Sequence, residues 1–393
     1  MPTSSADETI RSASPREGLA VVALALAAFS LNLNTNVLGA LLPFVREDLG
    51  LEDGAGKVLV AAAAAGSALG ALAVGPLAAA WGRRRMLVVG LSLFTAASVA
   101  HLWAASFLWF AMLRSLSGVA VGVAYAAASA LVAEVVPYER RGGALGRFTA
   151  GMFLAIPIGM PLSVVLANHG AWRGIFLVQA AIGGLACWWS LRAVPVTAAV
   201  EQRGSTRAVL RNGPAMAALL ATLLHVGSFF TTVQLATSWL DDTGRVAKED
   251  QIWVWVALGT CSVLGSALLG RAADRYGKRA FVLATSVVLV LCFGLLAREP
   301  EALPLAAVGV LLAVVAAART GPLQALVSGL VPAHELGALM GMRGFAMQMG
   351  VAGFALAAVP IGAQAGFSGV LWFAAACQVL SYLAIRVGVR RAR

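Results

Sequence analysis

Three ionisable side chains lie inside long apolar runs: Arg114, His225 and Arg319. A guanidinium stays charged, so a buried one needs carbonyls, water, a carboxylate or an anionic ligand around it. Arg319 reads in two ways: it binds a negative or electron-rich group of a ligand, or it caps carbonyls freed by Pro322. His225 offers either a proton-exchanging ring or a hydrogen-bonding one. Polar residues recur nearby at helical spacing. One stripe is Thr222, His225, Ser228 and Thr232, with Phe229 beside it; another is Thr320, Gln324 and Ser328, next to Arg319. Arg114, Ser117, Gly118, Val121 and Tyr125 share a third face. Asn32, Thr35 and Asn36 share a fourth, with Ser30 and Asn34 on another. Each stripe serves either interhelical hydrogen bonding or the lining of a polar cavity. Carboxylates are missing at that depth. Of eighteen Asp and Glu, sixteen fall in loops, termini or span edges, and Glu134 and Asp274 fall at helix ends.

Other chemistries fail on spacing. Gly50 to Lys57 resembles a phosphate loop, but Leu51 stands where its first glycine is needed and Val58 where Ser/Thr is needed. The chain therefore offers no ATPase engine. Gly366-Phe-Ser-Gly369 has no histidine in neighbouring spans, and His334-Glu335 lacks the second histidine of a zinc helix. Cys187, Cys261, Cys292 and Cys377 sit in apolar runs with no metal-ligand spacing. No metal, cofactor or converging acid/base set is expected, and so no enzyme.

The elements that position these residues follow from composition. The chain has 393 residues, 60% hydrophobic and only 12% charged; its mean hydropathy is +0.84. That excludes a soluble enzyme, a disordered chain and a disulfide-stapled domain, and indicates a polytopic membrane protein. The apolar segments are 19–45, 58–81, 86–104, 107–135, 143–167, 174–191, 214–239, 252–270, 280–297, 303–330, 336–360 and 367–388. They are continuous, so they are helices and not barrel strands. The expected organisation is a disordered N-terminus over 1–18, a six-helix bundle over 19–191, a linker over 192–213, a second bundle over 214–388 and a tail over 389–393. Net charge is +11. The cations sit in short loops and not on a folded basic face, so nucleic acid is not an expected partner. With the N-terminus inside, twenty-one Lys and Arg, Arg343 among them, fall on the cytoplasmic side and six outside. Both termini then face the cytoplasm of a cytoplasmic-membrane protein.

An internal repeat divides the chain. Gly75-Pro-Leu-Ala-Ala-Ala-Trp-Gly-Arg-Arg-Arg85 ends the second span, and Gly270-Arg-Ala-Ala-Asp-Arg-Tyr-Gly-Lys-Arg279 ends the eighth. Val136-Pro137 and Val331-Pro332 repeat at the same offset. Two related halves imply two facing bundles, with a substrate path between them near the midplane.

Over about residues 19 to 388 these features resemble the major facilitator superfamily, within it the twelve-span drug/proton antiporter and sugar-efflux group. Gly270 to Arg279 follows the family's loop motif closely. The first copy departs from it, with Ala79 and Ala80 in place of an Asp-Arg pair. Arg114, Gly118 and Gly122 match a span-4 pattern, as do Pro137 and Arg140 after it. Gly151…Pro157-Ile-Gly159-Met-Pro161 is a degraded span-5 pattern, and Trp172-Arg173 also resembles the group. Leu33 to Pro43 resembles a span-1 motif in which Asn34 takes the place of an acid.

The resemblance implies an all-α membrane fold of twelve helices in two pseudo-symmetric bundles. It implies a secondary transporter moving a small organic molecule by alternating access, with proton-coupled efflux. Spans 1, 4, 7 and 10 would line the cavity, placing Asn32, Asn34, Asn36, Tyr125, His225, Phe229, Arg319 and Gln324 at the substrate. Arg114, Glu134, Arg83, Asp274, Arg275 and His225 would serve coupling and gating, Glu134 by reaching the Arg83–Arg85 cluster. The implied partners are a small-molecule substrate, membrane lipid and protons, with one chain sufficing. Two other readings stand beside it: an organic-anion or amphiphilic-lipid carrier using Arg319, and a non-transporting sensor on the same scaffold.

Overall fold

A computed structural model of the chain describes residues 15–51, 55–196, 206–247, 250–298 and 302–389. Among the described residues there is no strand. Eleven helices are long and apolar enough to cross a membrane, and the last of them, Ala333–Gly388, is two spans long. The helices of the first half are α1 (Pro15–Leu49), α2 (Ala55–Trp81), α3 (Arg83–Ala100), α4 (Phe107–Val135), α5 and α6 (Gly174–Ala193). α5 runs from Arg141–Phe153 through a π-type turn at Ala155–Gly159 into Met160–Asn168. A short helix, Thr206–Arg211, leads to α7 (Gly213–Thr243), α8 (Gln251–Tyr276), α9 (Lys278–Leu296) and α10 (Ala302–Ser328). The run Leu336–Leu383 breaks at Gly366, where φ is 63° and ψ is −170°. Only glycine takes that conformation without strain, so the run is α11 (336–365) and α12 (367–383).

The repeat is visible in the backbone. Gly82, between α2 and α3, has φ 80°, and Gly277, between α8 and α9, has φ 91°. Within the first bundle α2 and α4 pack backbone to backbone. A Cβ on Gly66 or Gly70 would strike the carbonyls of Ser115 or Val119, and one on Gly118 or Gly122 those of Ala63 or Ser67. Small residues permit this approach where lipid removes any hydrophobic drive between helices. Apolar side chains also face outward: Leu69 is 65% exposed, Leu268 64% and Leu356 76%. A surface of that kind belongs in a bilayer.

Several boundaries differ from expectation, three of them with a bearing on the packing. Helix begins at Pro15, inside the segment 1–18 expected to be disordered, and residues 1–14 lie outside the described residues. Pro15 fits a first helical turn, and Glu17 complements the N-terminal dipole there. Glu17 Oε2 also accepts from Arg140 Nη2 at 2.9 Å. α8 continues past Gly270 to Tyr276, and α11 runs to the Gly366 corner instead of ending at 360.

Candidate functional site

The two bundles meet at the arginine-rich end. Asp274, on the last turn of α8, accepts from the amides of Gly142 at 2.8 Å and Gly143 at 2.7 Å, in the first turn of α5. A carboxylate at a helix N-terminus takes up free N–H groups and faces the positive end of the dipole. Lys278 Nζ closes the cluster, 3.0 Å from Asp274 Oδ1 and 4.4 Å above the Tyr138 ring. Arg83 Nη1 pairs with Glu134 Oε2 at 2.7 Å, and its Nη2 donates to the Ala333 carbonyl in the other half at 2.6 Å. Arg141 Nη1 reaches Ser328 Oγ at 3.4 Å. Close backbones finish the contact. A Cβ on Gly321 would come within 2.6 Å of Gly146 N, and one on Gly341 would strike the Ala71 carbonyl. Glu134 and Arg83 thus form one contact of this latch and Asp274 another. Arg275 does not join it: its side chain is exposed over the Tyr276 ring, and Lys278 takes the cationic place.

Further from that end the bundles touch through Phe153 of α5, whose ring stacks on Phe230 of α7 at 6.0 Å, and through Ile156 and Pro157 against Gly259. Beyond this level Thr35 and Gln234 are exposed.

In the first bundle Arg114 turns inward to α1. Its Nη1 donates to Asn34 Oδ1 at 2.7 Å and its Nη2 to the Asn34 carbonyl at 3.2 Å, both residues being buried. Asn32 props α5. In a π-type turn residue 157 would donate to the carbonyl of residue 152, but Pro157 has no N–H. Asn32 Nδ2 donates to Met152 O instead, at 2.8 Å. Asn36 Nδ2 bonds back to the Asn32 carbonyl of its own helix at 2.9 Å.

In the second bundle His225 sits between α7, α10 and α12. Gln378 Nε2 lies 2.7 Å from Ser228 Oγ and 3.3 Å from His225 Nδ1. Ser228 gives its own proton to the Leu224 carbonyl at 2.7 Å, so Gln378 is the donor to both groups. The ring then accepts at Nδ1 and carries its proton on Nε2, 3.5 Å from Thr320 Oγ1. Arg319 points into the same bundle, where Nη2 donates to Ser381 Oγ at 2.8 Å. Among the described residues its Nε and Nη1 find no partner, and neither end of the fully buried Gln324 amide finds one. Phe229 packs against Phe230 at 5.2 Å and lies parallel to the His225 ring at 6.5 Å.

Arg343 was expected among the cytoplasmic loop cations. It is instead about two turns into α11 and 1% exposed. Nη1 contacts Met347 Sδ at 3.3 Å, and the guanidinium is paired by charge and a side-chain hydrogen bond with Tyr125 of α4 across the bundle interface. Among the described residues Nε and Nη2 reach no other partner. Tyr125 also points its hydroxyl at Met152 Sδ, 3.4 Å away. Arg319 and Arg343 both lie within electrostatic range of His225. Among the described residues no carboxylate bonds Arg114, Arg319 or Arg343. The sequence signal for Arg343 was its setting in Met340-Gly-Met-Arg-Gly-Phe345, an apolar stretch and not a loop.

Known proteins share this plan. The sequence matches the model of the Major Facilitator Superfamily over residues 24–245. It is 28% identical over 299 residues to a chloramphenicol resistance protein of Streptomyces lividans, covering 71% of this chain and 74% of that one. It is 27% identical over 279 residues to a probable sugar efflux transporter of Helicobacter acinonychis (strain Sheeba), covering 69% and 70%. The fold superposes on the human organic anion transporter MFSD10 with a TM-score of 0.78 at 19% identity, over 94% of this chain and all of that one. Two repeated six-helix halves with a latch between them agree with the sequence match, and the chain is a membrane transporter of the Major Facilitator Superfamily.

Proposed function

We propose that the chain exports a small organic molecule across the cytoplasmic membrane by alternating access, one chain sufficing. The observation behind this reading is the latch at the arginine-rich end. The bundles hold one another there by Asp274 on two backbone amides, by Arg83 on the Ala333 carbonyl and by glycine-lined backbones. Such bonds can part and re-form without unfolding either bundle. With both termini in the cytoplasm, as the loop charges indicate, the latched form faces outward. Export is favoured over import because two relatives of matching length are named for resistance and for efflux.

A counter-ion would drive export against a gradient. His225 is the titratable group at mid-depth for a coupling proton, since no Asp or Glu of the described residues lies there.

Everted membrane vesicles from expressing cells test the reading. Probes would be chloramphenicol, a hexose and 2-naphthoate, compared with vesicles lacking the protein. Accumulation in everted vesicles supports export; accumulation only in right-side-out vesicles overturns it. Accumulation driven by an imposed pH gradient that survives in His225→Asn removes His225 as the coupling group.

A further inference from the structure

We infer that the transport site takes small organic anions, with Arg343 as its principal anchor, Tyr125 beside it and the charge of Arg319 within reach of the same histidine, His225. The inference deepens the export reading by naming the substrate class of the same site, and for the site's use it rests on that reading.

Buried guanidinium donors here are left with bonds unmade. Apart from Tyr125, Arg343 Nε and Nη2 reach no partner among the described residues, and neither do Nε and Nη1 of the fully buried Arg319. A buried donor without an acceptor is destabilising, most of all a charged one. A protein keeps such groups where something else completes them. Here the missing complement is acceptor-rich and negative, because the unpaired atoms are guanidinium N–H. Arg343 presents Nε and one Nη together, the edge that holds a carboxylate, sulfonate or phosphate through two parallel bonds.

Arg343 is on α11 of one half and interacts with Tyr125 on α4 of the other. An anion on Arg343 would therefore touch both bundles, as a transported ligand must. Its neighbours bring positive charge and no competing carboxylate. Arg319 and Arg343 both act on His225, and the nearest acids of the interface, Glu134 and Asp274, are engaged in the latch. Phe229 lies beside the His225 ring and packs with Phe230 and Phe153, so an apolar face accompanies the charges and the ligand is taken to have an organic body.

The test uses the full-length protein in detergent and four matched probes: 2-naphthoate, naphthalene-2-sulfonate, 2-naphthamide and 1-naphthylmethylammonium, with chloride and inorganic phosphate as controls. A ligand that binds the folded state raises its melting temperature. The two organic anions should stabilise and the amide and ammonium should not. Arg343→Met should melt higher than wild type without ligand, because it removes an uncompensated charge, and should lose the anion-specific shift. Tyr125→Phe keeps both arginines, removes the hydroxyl that bonds Arg343 and should weaken naphthoate binding about tenfold.

Three results would overturn the inference. One is equal stabilisation by amide and acid. Another is an anion shift preserved in Arg343→Met, or an Arg343→Met protein that melts below wild type or does not fold, which would make Arg343 structural. The last is a shift reproduced by chloride or phosphate alone, which would assign an inorganic ion. Flux separates the two readings. Export of the ammonium or amide but not the anions sinks the anion site and leaves export standing. Anion binding without flux in proteoliposomes sinks export and leaves the site.

Discussion

Arg114 holds Asn34 twice, once at the side-chain oxygen and once at the backbone carbonyl, so the deepest charge of the first bundle is paired with a neutral amide. Two donors of one guanidinium fix the angle between α4 and α1. The amide satisfies the geometry of a carboxylate without offering a proton-binding site.

Asn34→Ala should cost about 1.5–3 kcal/mol, the worth of a hydrogen bond to a charged group, and lower the melting temperature. Asn34→Asp should raise it at neutral pH, because the ionised carboxylate neutralises Arg114. That gain should vanish on acidification, as protonation returns the side chain to a neutral acceptor. A melting curve taken across pH decides it; a variant indifferent to pH would mean that Arg114 does not sense the new charge.

Asp274 anchors the latch through backbone amides, so its loss cannot be compensated by a neighbouring side chain. Asp274→Ala should open the arginine-rich end. Ala338 is buried there against Gly75. A reporter Ala338→Cys, in a background without the four native cysteines, should react with a maleimide several-fold faster when Asp274 is gone. Unchanged labelling would show that the glycine contacts alone hold the bundles together.

Glycines inside a bundle and between bundles should fail differently. Gly122 packs on Ser67 within the first bundle, whereas Gly341 packs on Ala71 of the opposite one. Gly122→Ala should lower the melting temperature by a few degrees, since overpacking costs about 1–3 kcal/mol. Gly341→Ala can be relieved by parting the bundles, so it should speed labelling at the Ala338→Cys reporter with little change in melting.

Arg83 has one bond inside its own bundle and one outside it. Arg83→Ala should therefore raise labelling at the same reporter more than Glu134→Gln, which leaves the bond to the Ala333 carbonyl in place. Equal effects would mean that the ion pair, and not the carbonyl contact, sets the latch.

Much of the architecture was legible because lipid leaves a chain few choices. Twenty apolar residues must be helix, and Gly82 and Gly277 at equal offset announced the repeat that their positive φ angles embody. Glu134 was placed beside Arg83 from its position at the inner end of the fourth span. The sites inside the bundles were harder. Which face of α10 carries Arg319 toward Ser381 depends on how α12 packs, and the Gly366 corner decides that only in three dimensions. Asn32 reads as a ligand group in the sequence, and its bond to the carbonyl that Pro157 leaves without an amide was not legible there because it arises from a turn on another helix. Arg343 was misplaced because a cation near a span end fits the loop count equally well in a loop or a turn or two inside it.

Arg319 and Arg343, with no carboxylate partner among the described residues, also have an electrical consequence. Neither gives up its proton near neutral pH, so the inferred anion site, when empty, keeps the same positive charge through every turn of the cycle. A voltage acts on that charge, worth about 2.3 kcal/mol per elementary charge for each 100 mV crossed. With a negative cell interior, the empty carrier is drawn toward its inward-facing form and an anion-loaded one is released from that pull. The membrane potential then becomes a reset spring for the transporter, and discharging it should slow turnover even where no pH gradient exists.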